Sequence, residues 1–213
     1  MNILRKIKSF RKAFLTRFTR IHYSQFGEDI ILKELLSKKK NGFYVDVGCF
    51  HPKKFSNTYA LYKKGWRGIN IDMEAHKIEL FSLARKKDIN VLAAISDQHK
   101  DFYIKANRPY DVFATLSETK TEGPTIRTKT LNEILAATPY HQKPIDLLTI
   151  DAEGHDLHVL RSLDFTIYQP KVLVVESHAT DINTVLQSAI HAFMVEQKYR
   201  LRSWTLFSLV YLY

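Results

Sequence analysis

The feature that most constrains this fold is an alternation of short apolar runs with helical segments from residue 42 onward. The apolar runs are rich in strand-forming residues, and the segments between them repeat apolar residues at the helical period. Apolar runs without alternating polar residues, separated by helices, are typical of a parallel sheet that is covered on both faces. The chain is therefore predicted to be α/β.

The same patterns give approximate bounds for each element. The predicted strands cover residues 43–47, 68–72, 90–95, 145–151, 172–176, 199–202 and 205–213. The predicted helices cover residues 56–64, 75–86, 155–162 and 181–196. The last two strands form a closing hairpin that turns at residues 203–204 and supplies an antiparallel edge. Residues 101–124 are polar and rich in turn formers, which predicts an irregular insertion with a short strand at 102–105.

Composition limits the class of protein. With 213 residues, 45% of them hydrophobic, the chain is long enough for one domain with a well-buried core. Its single cysteine excludes an internal disulfide bond and suits a reducing compartment, so we expect a cytoplasmic location. No uncharged apolar run approaches the ~18 residues of a membrane-spanning helix.

The positive charge is concentrated in one segment. Of the net charge of +10, residues 1–20 carry +7, with no acidic residue, and the remaining chain carries +3. This distribution disfavours nucleic acid as a partner of the domain. We therefore divide the chain into a basic segment, residues 1–22, and a domain, residues 23–213.

The basic segment is predicted to be an amphipathic helix. Its apolar residues recur at spacings of three and four, namely Ile3, Ile7, Phe10, Phe14 and Phe18. Three uses of this apolar face stay open. It can dock on its own domain or on a second copy in a homodimer, lie on the inner face of an anionic membrane, or contact nucleic acid or another partner.

Polar side chains follow three successive predicted strands. Asp46 ends the first strand and is followed by Gly48, which allows a tight turn, while Asp72 ends the second. Ser96 and Asp97 follow the third strand. In open α/β sheets, ligands bind beyond the carboxyl ends of strands. Each acid alone is also explained as a solvated loop residue or a helix cap.

Together these turns favour an adenosyl ligand without phosphates. The chain contains neither the three-glycine dinucleotide motif nor a Walker A pattern, so nucleotide phosphates would be poorly bound. An acid in the position of Asp72 can accept hydrogen bonds from both ribose hydroxyls. Ser96 and Asp97 can receive the adenine amino group.

Several motifs in register resemble the FkbM family of S-adenosylmethionine-dependent methyltransferases. They are Tyr23-Ser-Gln-Phe-Gly-Glu-Asp29, Phe43-Tyr-Val-Asp-Val-Gly48, Ser56-Asn-Thr58, Gly65-Trp-Arg-Gly-Ile-Asn-Ile-Asp72 and Ile150-Asp-Ala-Glu-Gly154. The resemblance extends from about residue 23 to the end of the sequence. It implies a class I methyltransferase fold, Rossmann-like, with a mostly parallel seven-stranded sheet and a reversed final strand. It also implies S-adenosylmethionine as cofactor and O-methyl transfer to sugars or other hydroxylated natural products.

The resemblance assigns the methionine side of the cofactor to the first turn. By position, Asp46, Gly48 and Cys49 hold the methionine portion, although the family usually has Ala or another small residue in place of Cys49. Gln25 and Glu28 belong to the leading motif, which is expected to close over the cofactor.

The remaining cofactor contacts are assigned in the same way. Ser56 and Asn57 begin a helix whose amides can receive the cofactor carboxylate. Asp72 corresponds to the acid that binds ribose, and Met73 is expected to pack near the adenine. The turn at residues 96–97 matches the adenine side.

The acceptor side is predicted at the mouth of the fourth strand. Methyl transfer to a hydroxyl requires the oxygen in line with the sulfonium methyl and removal of its proton. Asp151 or Glu153 can remove that proton or orient the hydroxyl, and the alternative is that both only satisfy N–H groups at a helix start. Glu176 and His178 are of types that can join them around a divalent cation. The sequence does not fix that geometry, and no metal is predicted.

The sequence thus predicts an O-methyltransferase acting on a hydroxyl of a sugar, a glycan or a glycosylated natural product. The acceptor can be small or lipid-linked, and we expect residues 1–20 to touch an anionic membrane peripherally. Two alternatives stay open. One is a binding protein on the same fold that has lost methyl transfer. The other is an RNA methyltransferase, which the low charge outside residues 1–20 disfavours.

Overall fold

The computed structural model of the protein describes residues 3–15, 20–107 and 111–213. The strands are β1 (Phe43–Val47), β2 (Arg67–Asp72), β3 (Ile89–Leu92), β4 (Asp101–Lys105), β5 (Thr115–Ser117), β6 (Thr125–Arg127), β7 (Leu147–Ile150), β8 (Val172–Glu176), β9 (Arg200–Thr205) and β10 (Ser208–Leu212). The helices are α1 (Ile3–Phe14), α2 (Glu28–Leu35), α3 (Tyr59–Lys63), α4 (Ala75–Ala84), α5 (Leu131–Ala136), α6 (Asp156–Arg161), α7 (Ile182–Gln187) and α8 (Ala189–Glu196).

The main sheet has seven strands in the order β3-β2-β1-β7-β8-β10-β9. The strands from β3 to β8 in this order are parallel, and β10 runs antiparallel to both β8 and β9. The prediction of a mostly parallel seven-stranded sheet with an antiparallel final strand is confirmed. The strand order reverses between β1 and β7, and ligands bind at such a switch point in open α/β sheets.

Both faces of the sheet are buried, which explains the uninterrupted apolar runs. Side chains alternate between the two faces along a strand. Val45 and Ile150 pack into one apolar cluster, whereas Tyr44 and Leu147 pack into the other. All five residues of β1 are buried as a result. The helices on each face supply the remaining cover.

The turn after β1 depends on a glycine. Gly48 has φ +74, a backbone conformation that L side chains rarely adopt, and its N–H donates to Ile71 O at 2.9 Å. A Cβ at this position would lie 1.7 Å from the carbonyl oxygen of Asp151. The loops after β1 and β7 therefore approach each other so closely that no larger residue fits.

A buried guanidinium fixes the rest of that loop. Arg85, directly after α4, is fully buried. Its Nη2 donates to Pro52 O and to Ser56 Oγ, each at 2.7 Å, and its Nη1 donates to Thr58 Oγ1 at 2.7 Å. The Thr58 hydroxyl in turn donates to Asp46 Oδ2 at 2.6 Å. One side chain thus ties the loop after β1 to the end of α4 and to the strand that precedes the loop.

The prediction of an irregular insertion at residues 101–124 is wrong. This part of the chain, with the residues that follow it, forms a second, three-stranded antiparallel sheet in the order β5-β4-β6. The short strand expected at 102–105 is its central strand, β4. Two of its strands have only three residues each, too few to show a clear alternation.

Two further predicted elements are wrong in detail. The single helix over 181–196 is two helices, because Ser188 is extended (φ −69, ψ 149) and its Oγ accepts from the N–H of His191 at 3.1 Å. The closing hairpin turns at residues 206–207, not 203–204, and Leu206 has φ +46 there. Two other elements are shorter than predicted. The strand predicted at 90–95 lies at Ile89–Leu92, and the helix predicted at 56–64 is Tyr59–Lys63, so Ser56 and Asn57 precede that helix and do not begin it. Of the predicted basic helix, Phe18 lies outside the described residues.

The Arg85 network gives a stability prediction. We expect Arg85→Met to lower the free energy of unfolding by about 3–5 kcal/mol, because truncating one member of a buried charged network leaves its partners uncompensated. Arg161→Met, at an exposed helix end, is the matched control and is expected to stay within ~0.5 kcal/mol of the parent. Urea denaturation measures both. Equal unfolding midpoints for the two variants would show that Arg85 does not anchor the loop.

Candidate active site

A pocket opens at the switch point of the main sheet. Its walls include Gly48 after β1, Asp72 at the end of β2, Ala94 after β3 and Asp151 after β7. The carboxyl ends of four parallel strands therefore converge on one cavity.

Asp72 presents a buried carboxylate with a fixed orientation. Its Oδ1 accepts from the N–H of Glu74 at 2.9 Å, and its Oδ2 accepts from the N–H of Phe50 at 3.2 Å. Burial raises the pKa of this carboxyl, and the nearby Lys77 ammonium, 3.9 Å from Oδ2, opposes that rise. Each carboxylate oxygen can accept a further hydrogen bond, so the pair suits a vicinal diol.

Lys77 is a pocket residue that the sequence analysis missed. Its Nζ lies 2.5 Å from Glu74 Oε1, donates to Asp111 O at 3.0 Å and sits 5.3 Å from the centre of the Phe50 ring. The side chain is buried, although it belongs to a helix with no capping or charge signal. The ammonium neutralises the acidic end of β2 and ties α4 to the segment at residue 111. A lysine in a helical pattern is normally interpreted as solvated, so no sequence signal marks it.

Four of the predicted cofactor residues line the pocket. They are Gln25, Gly48, Asp72 and Met73. The apolar residues Ala93, Ala94 and Ile95 form an adjacent wall that suits a flat aromatic ring such as adenine. These residues come from the leading segment and from the ends of three strands, as the resemblance implied.

Other predicted cofactor residues are bonded within the protein behind the pocket wall. Asp46 accepts from Thr58, and burial raises its pKa to about 6. Ser56 Oγ accepts from Arg85, and Asn57 Nδ2 donates to Thr149 Oγ1 at 3.0 Å. These contacts hold the loop that carries the pocket wall. A direct role in cofactor binding stays a prediction for Asp46, Ser56 and Asn57.

Glu28 and Cys49 are likewise buried. Glu28 Oε2 accepts from the N–H of Phe26 at 2.9 Å, and its Oε1 accepts from Ser208 Oγ at 3.2 Å. The leading motif is thereby joined to the closing hairpin. Cys49 is 5% exposed, and burial raises the pKa of its thiol, so it stays protonated. Their predicted contacts with the cofactor are also left as predictions.

The turn after β3 is bonded to two stacked imidazoles. Ser96 Oγ lies 3.1 Å from His155 Nε2, and Asp97 Oδ1 lies 2.8 Å from His158 Nδ1. The two histidine rings stack with centroids 4.5 Å apart. His155 lines the pocket, and burial lowers its pKa to about 4, so its imidazole is neutral at pH 7. Ser96 and Asp97 thus support a pocket wall, and their adenine contacts stay a prediction.

Asp151 and Glu153, in the loop after β7, both line the pocket. The alternative was that these two acids only satisfy N–H groups at a helix start. The N–H groups of their loop are bound instead by the neighbouring Asp156. Asp156 Oδ1 accepts from the N–H of Ala152 at 2.9 Å, and its Oδ2 accepts from the N–H of Gly154 at 3.1 Å. Asp156 therefore shapes the loop after β7 and leaves the other two carboxylates facing the cavity.

These carboxylates crowd one another. Burial and the nearby charges of Glu153 and Asp156 raise the pKa of Asp151. Glu176, at the end of β8, is raised by burial and by the charge of Asp151, with which it shares a hydrogen bond. Burial raises the pKa of Glu153 to about 7, with a further contribution from Asp156. The cluster can therefore take up and release a proton near neutral pH.

The cluster also includes a possible set of metal ligands. Glu153, Glu176 and His178 each place one potential ligand atom within 4.8 Å of the others. Carboxylate and imidazole groups bind divalent cations. The sequence did not fix how these three side chains are arranged, and their arrangement in the structure is compatible with such an ion. His178 Nε2 lies 3.3 Å from Glu176 Oε1.

The small sheet completes the pocket. Val112, Ala114 and Leu116 line it, and Thr115 Oγ1 donates to the carbonyl oxygen of Glu153 at 2.9 Å. Glu153 itself has φ +49, a strained conformation that this bond helps to hold. The segment that sequence patterns describe least well therefore lines the pocket beside Glu153.

The fold and the pocket at its switch point define a class I methyltransferase. Residues 46–201 match the family model of the methyltransferase FkbM domain. The chain belongs to the FkbM methyltransferase family, and its methyl donor is S-adenosylmethionine. The leading motif at residues 23–29 lies outside the matched range.

A solved structure with a TM-score above 0.5 shows the same fold at low identity. The methyltransferase FkbM from Methylobacillus flagellatus KT is 15% identical with a TM-score of 0.53, over 82% of this chain and 44% of that one. A TehB-like SAM-dependent methyltransferase from Corynebacterium glutamicum ATCC 13032 Kitasato is 12% identical (TM-score 0.47), over 98% and 95% of the two chains. Monomeric WbdD is 15% identical (TM-score 0.48), over 96% and 43%. The chain thus spans less than half the length of the Methylobacillus protein. Comparison with curated proteins gives no match.

The pocket fits this donor. The Asp72 carboxylate has free acceptor capacity for the ribose hydroxyls, and the wall at residues 93–95 is apolar as an adenine ring requires.

Cofactor affinity tests the role of Asp72. We expect Asp72→Asn to weaken S-adenosylmethionine binding by about 10-fold or more, because a charge-assisted hydrogen bond contributes about 1.5–3 kcal/mol. Isothermal titration calorimetry measures the affinity. Asp101→Asn, whose carboxylate is 65% exposed on β4, is the control and is expected to bind as the parent does. Unchanged affinity in Asp72→Asn would show that the ribose does not bind at this end of β2.

Proposed function

We propose that this protein transfers a methyl group from S-adenosylmethionine to a hydroxyl oxygen of a sugar, in a glycan or a glycosylated natural product. One observation carries the proposal. Asp151 and Glu153 face the cofactor pocket while Asp156 satisfies the N–H groups of their loop. An alcohol is a weak nucleophile until its proton is removed, and a carboxylate in this position can remove it.

The protein contributes alignment and a proton acceptor. The bound cofactor supplies an electron-poor methyl group on sulfur. The pKa of Asp151 is raised, which makes it a stronger base than an unperturbed aspartate. It accepts the hydroxyl proton while the loop after β7 holds the acceptor oxygen near the cofactor.

The charge of the pocket supports a neutral, hydroxyl-rich acceptor. Glu153 and Glu176 lie beside Asp151, and their oxygens can each accept hydrogen bonds from sugar hydroxyls. The same negative charge repels a phosphate backbone, which weighs against RNA as the acceptor. A hydroxylated sugar therefore matches the site better than a nucleic acid.

Turnover in Asp151→Asn tests the base. We expect the rate to fall by about 100-fold or more with S-adenosylmethionine affinity unchanged, because proton removal contributes ~10²–10⁴-fold to such reactions. Formation of S-adenosylhomocysteine is measured against a panel of glycans and lipid-linked sugars. Asp101→Asn again serves as the exposed control.

Each other outcome has a defined meaning. A normal rate in Asp151→Asn and in Glu153→Gln would exclude both carboxylates as the base. Tight cofactor binding without turnover on any hydroxylated acceptor would favour the non-catalytic alternative. Methyl transfer to RNA but to no sugar would replace the proposed acceptor.

The pH dependence gives an independent check. The base acts in its ionised form, so kcat/KM is expected to rise with pH until Asp151 is fully ionised. The charge of Glu153 contributes to the raised pKa of Asp151. In Glu153→Gln that repulsion is absent, and the midpoint of the rise is expected to move to lower pH. Steady-state rates between pH 5 and 9 measure the shift, and a midpoint that stays fixed would contradict the coupling.

A further inference from the structure

We propose that α1 docks the enzyme on an anionic lipid bilayer. Its apolar face, defined here as Ile3, Ile7, Phe10 and Phe14, is uncovered. These four side chains are 74%, 52%, 59% and 73% exposed, and α1 contains no buried residue. At 100° per residue they lie within about 60° of the helix circumference, so they form one narrow stripe.

The rest of the helix surface is basic. Arg5, Lys6, Lys8, Arg11 and Lys12 all lie off the stripe, and residues 1–20 contain no acid. Lys6 and Arg11 flank the stripe, where their long apolar stems can extend sideways while the charged ends reach a polar layer. The rings of Phe10 and Phe14 lie 4.8 Å apart and form a compact apolar patch.

An anionic bilayer satisfies both surfaces at once. The stripe enters the boundary between head groups and acyl chains, and the flanking cations meet anionic phosphates in the same plane. Nucleic acid would use the cations and leave the aromatic stripe in water. A second copy of α1 would cover the stripe but would bring two strongly basic helices together.

The helix acts at the surface only. Among the residues that the structure describes, no helix has the length and apolar character needed to cross a bilayer. The proposal goes beyond the proposed function and does not rest on it, because α1 contributes no residue to the pocket.

The test is flotation of the full chain with vesicles. We expect binding to vesicles of phosphatidylglycerol and phosphatidylcholine in equal parts, and at least ~10-fold weaker binding to phosphatidylcholine alone. Raising the salt concentration is expected to weaken the first interaction, because the attraction is screened.

Paired variants separate the two surfaces. Phe10→Ala with Phe14→Ala keeps helix propensity and is expected to reduce anionic vesicle binding by about 10-fold or more. Arg5→Glu with Lys8→Glu is expected to abolish the preference for anionic vesicles. Leu83→Ala, which removes an equally exposed side chain from α4, is the control and is expected to bind as the parent does. Unchanged S-adenosylmethionine affinity in each variant shows that the domain is folded.

Two results would overturn the proposal. One is equal binding of the parent and the Phe10/Phe14 double variant to anionic vesicles. The other is no vesicle binding by the parent, together with a dimer in analytical ultracentrifugation that the double variant abolishes. The second result would assign the stripe to another copy of the chain.

Discussion

The loop that forms part of the pocket wall depends on the guanidinium of Arg85, which is fully buried. A buried charge is costly unless its donors are matched, and Arg85 is matched by oxygens from three separate segments. The rings of Tyr59, Tyr62 and Phe81 surround it, with centroids 5.0–5.6 Å from the guanidinium carbon. Because most of these partners lie in the loop after β1 and the helix that follows it, the loop can adopt only a narrow range of conformations. The pocket wall is therefore preformed, and the cofactor need not order it on binding.

Charge is distributed unequally across the pocket. On the β2 side, the Lys77 ammonium lies between acids and neutralises them. On the β7 side, burial raises the pKa values of Asp151, Glu153 and Glu176, and the charge of Asp156 adds to each rise. The acids at the end of β2 thus have a cation in direct contact, whereas those after β7 lie among other carboxylates.

The sequence predicts the main sheet well because burial on both faces leaves continuous apolar strands, and it locates the turns that converge at the switch point. It fails where partners are distant. In the sequence, Arg85 and Lys77 look like ordinary helix cations. The oxygens that bind them come from segments up to 41 residues away or follow no motif. The break at Ser188 was missed because the apolar helical pattern continues across it, whereas the capping hydroxyl is a weak local signal. The small sheet was missed because its strands are short and half exposed.

The bond from Thr115 to the Glu153 carbonyl joins the small sheet to the loop after β7 of the main sheet. The three-stranded sheet is inserted between β3 and α5 and lines the pocket at the switch point of the main sheet. Such an insertion can lengthen, shorten or change sequence without disturbing the parallel strands beneath it. Acceptor preference can therefore diverge within the family while methyl donation is inherited unchanged, so relatives that share the β1 and β2 turns need not share a substrate.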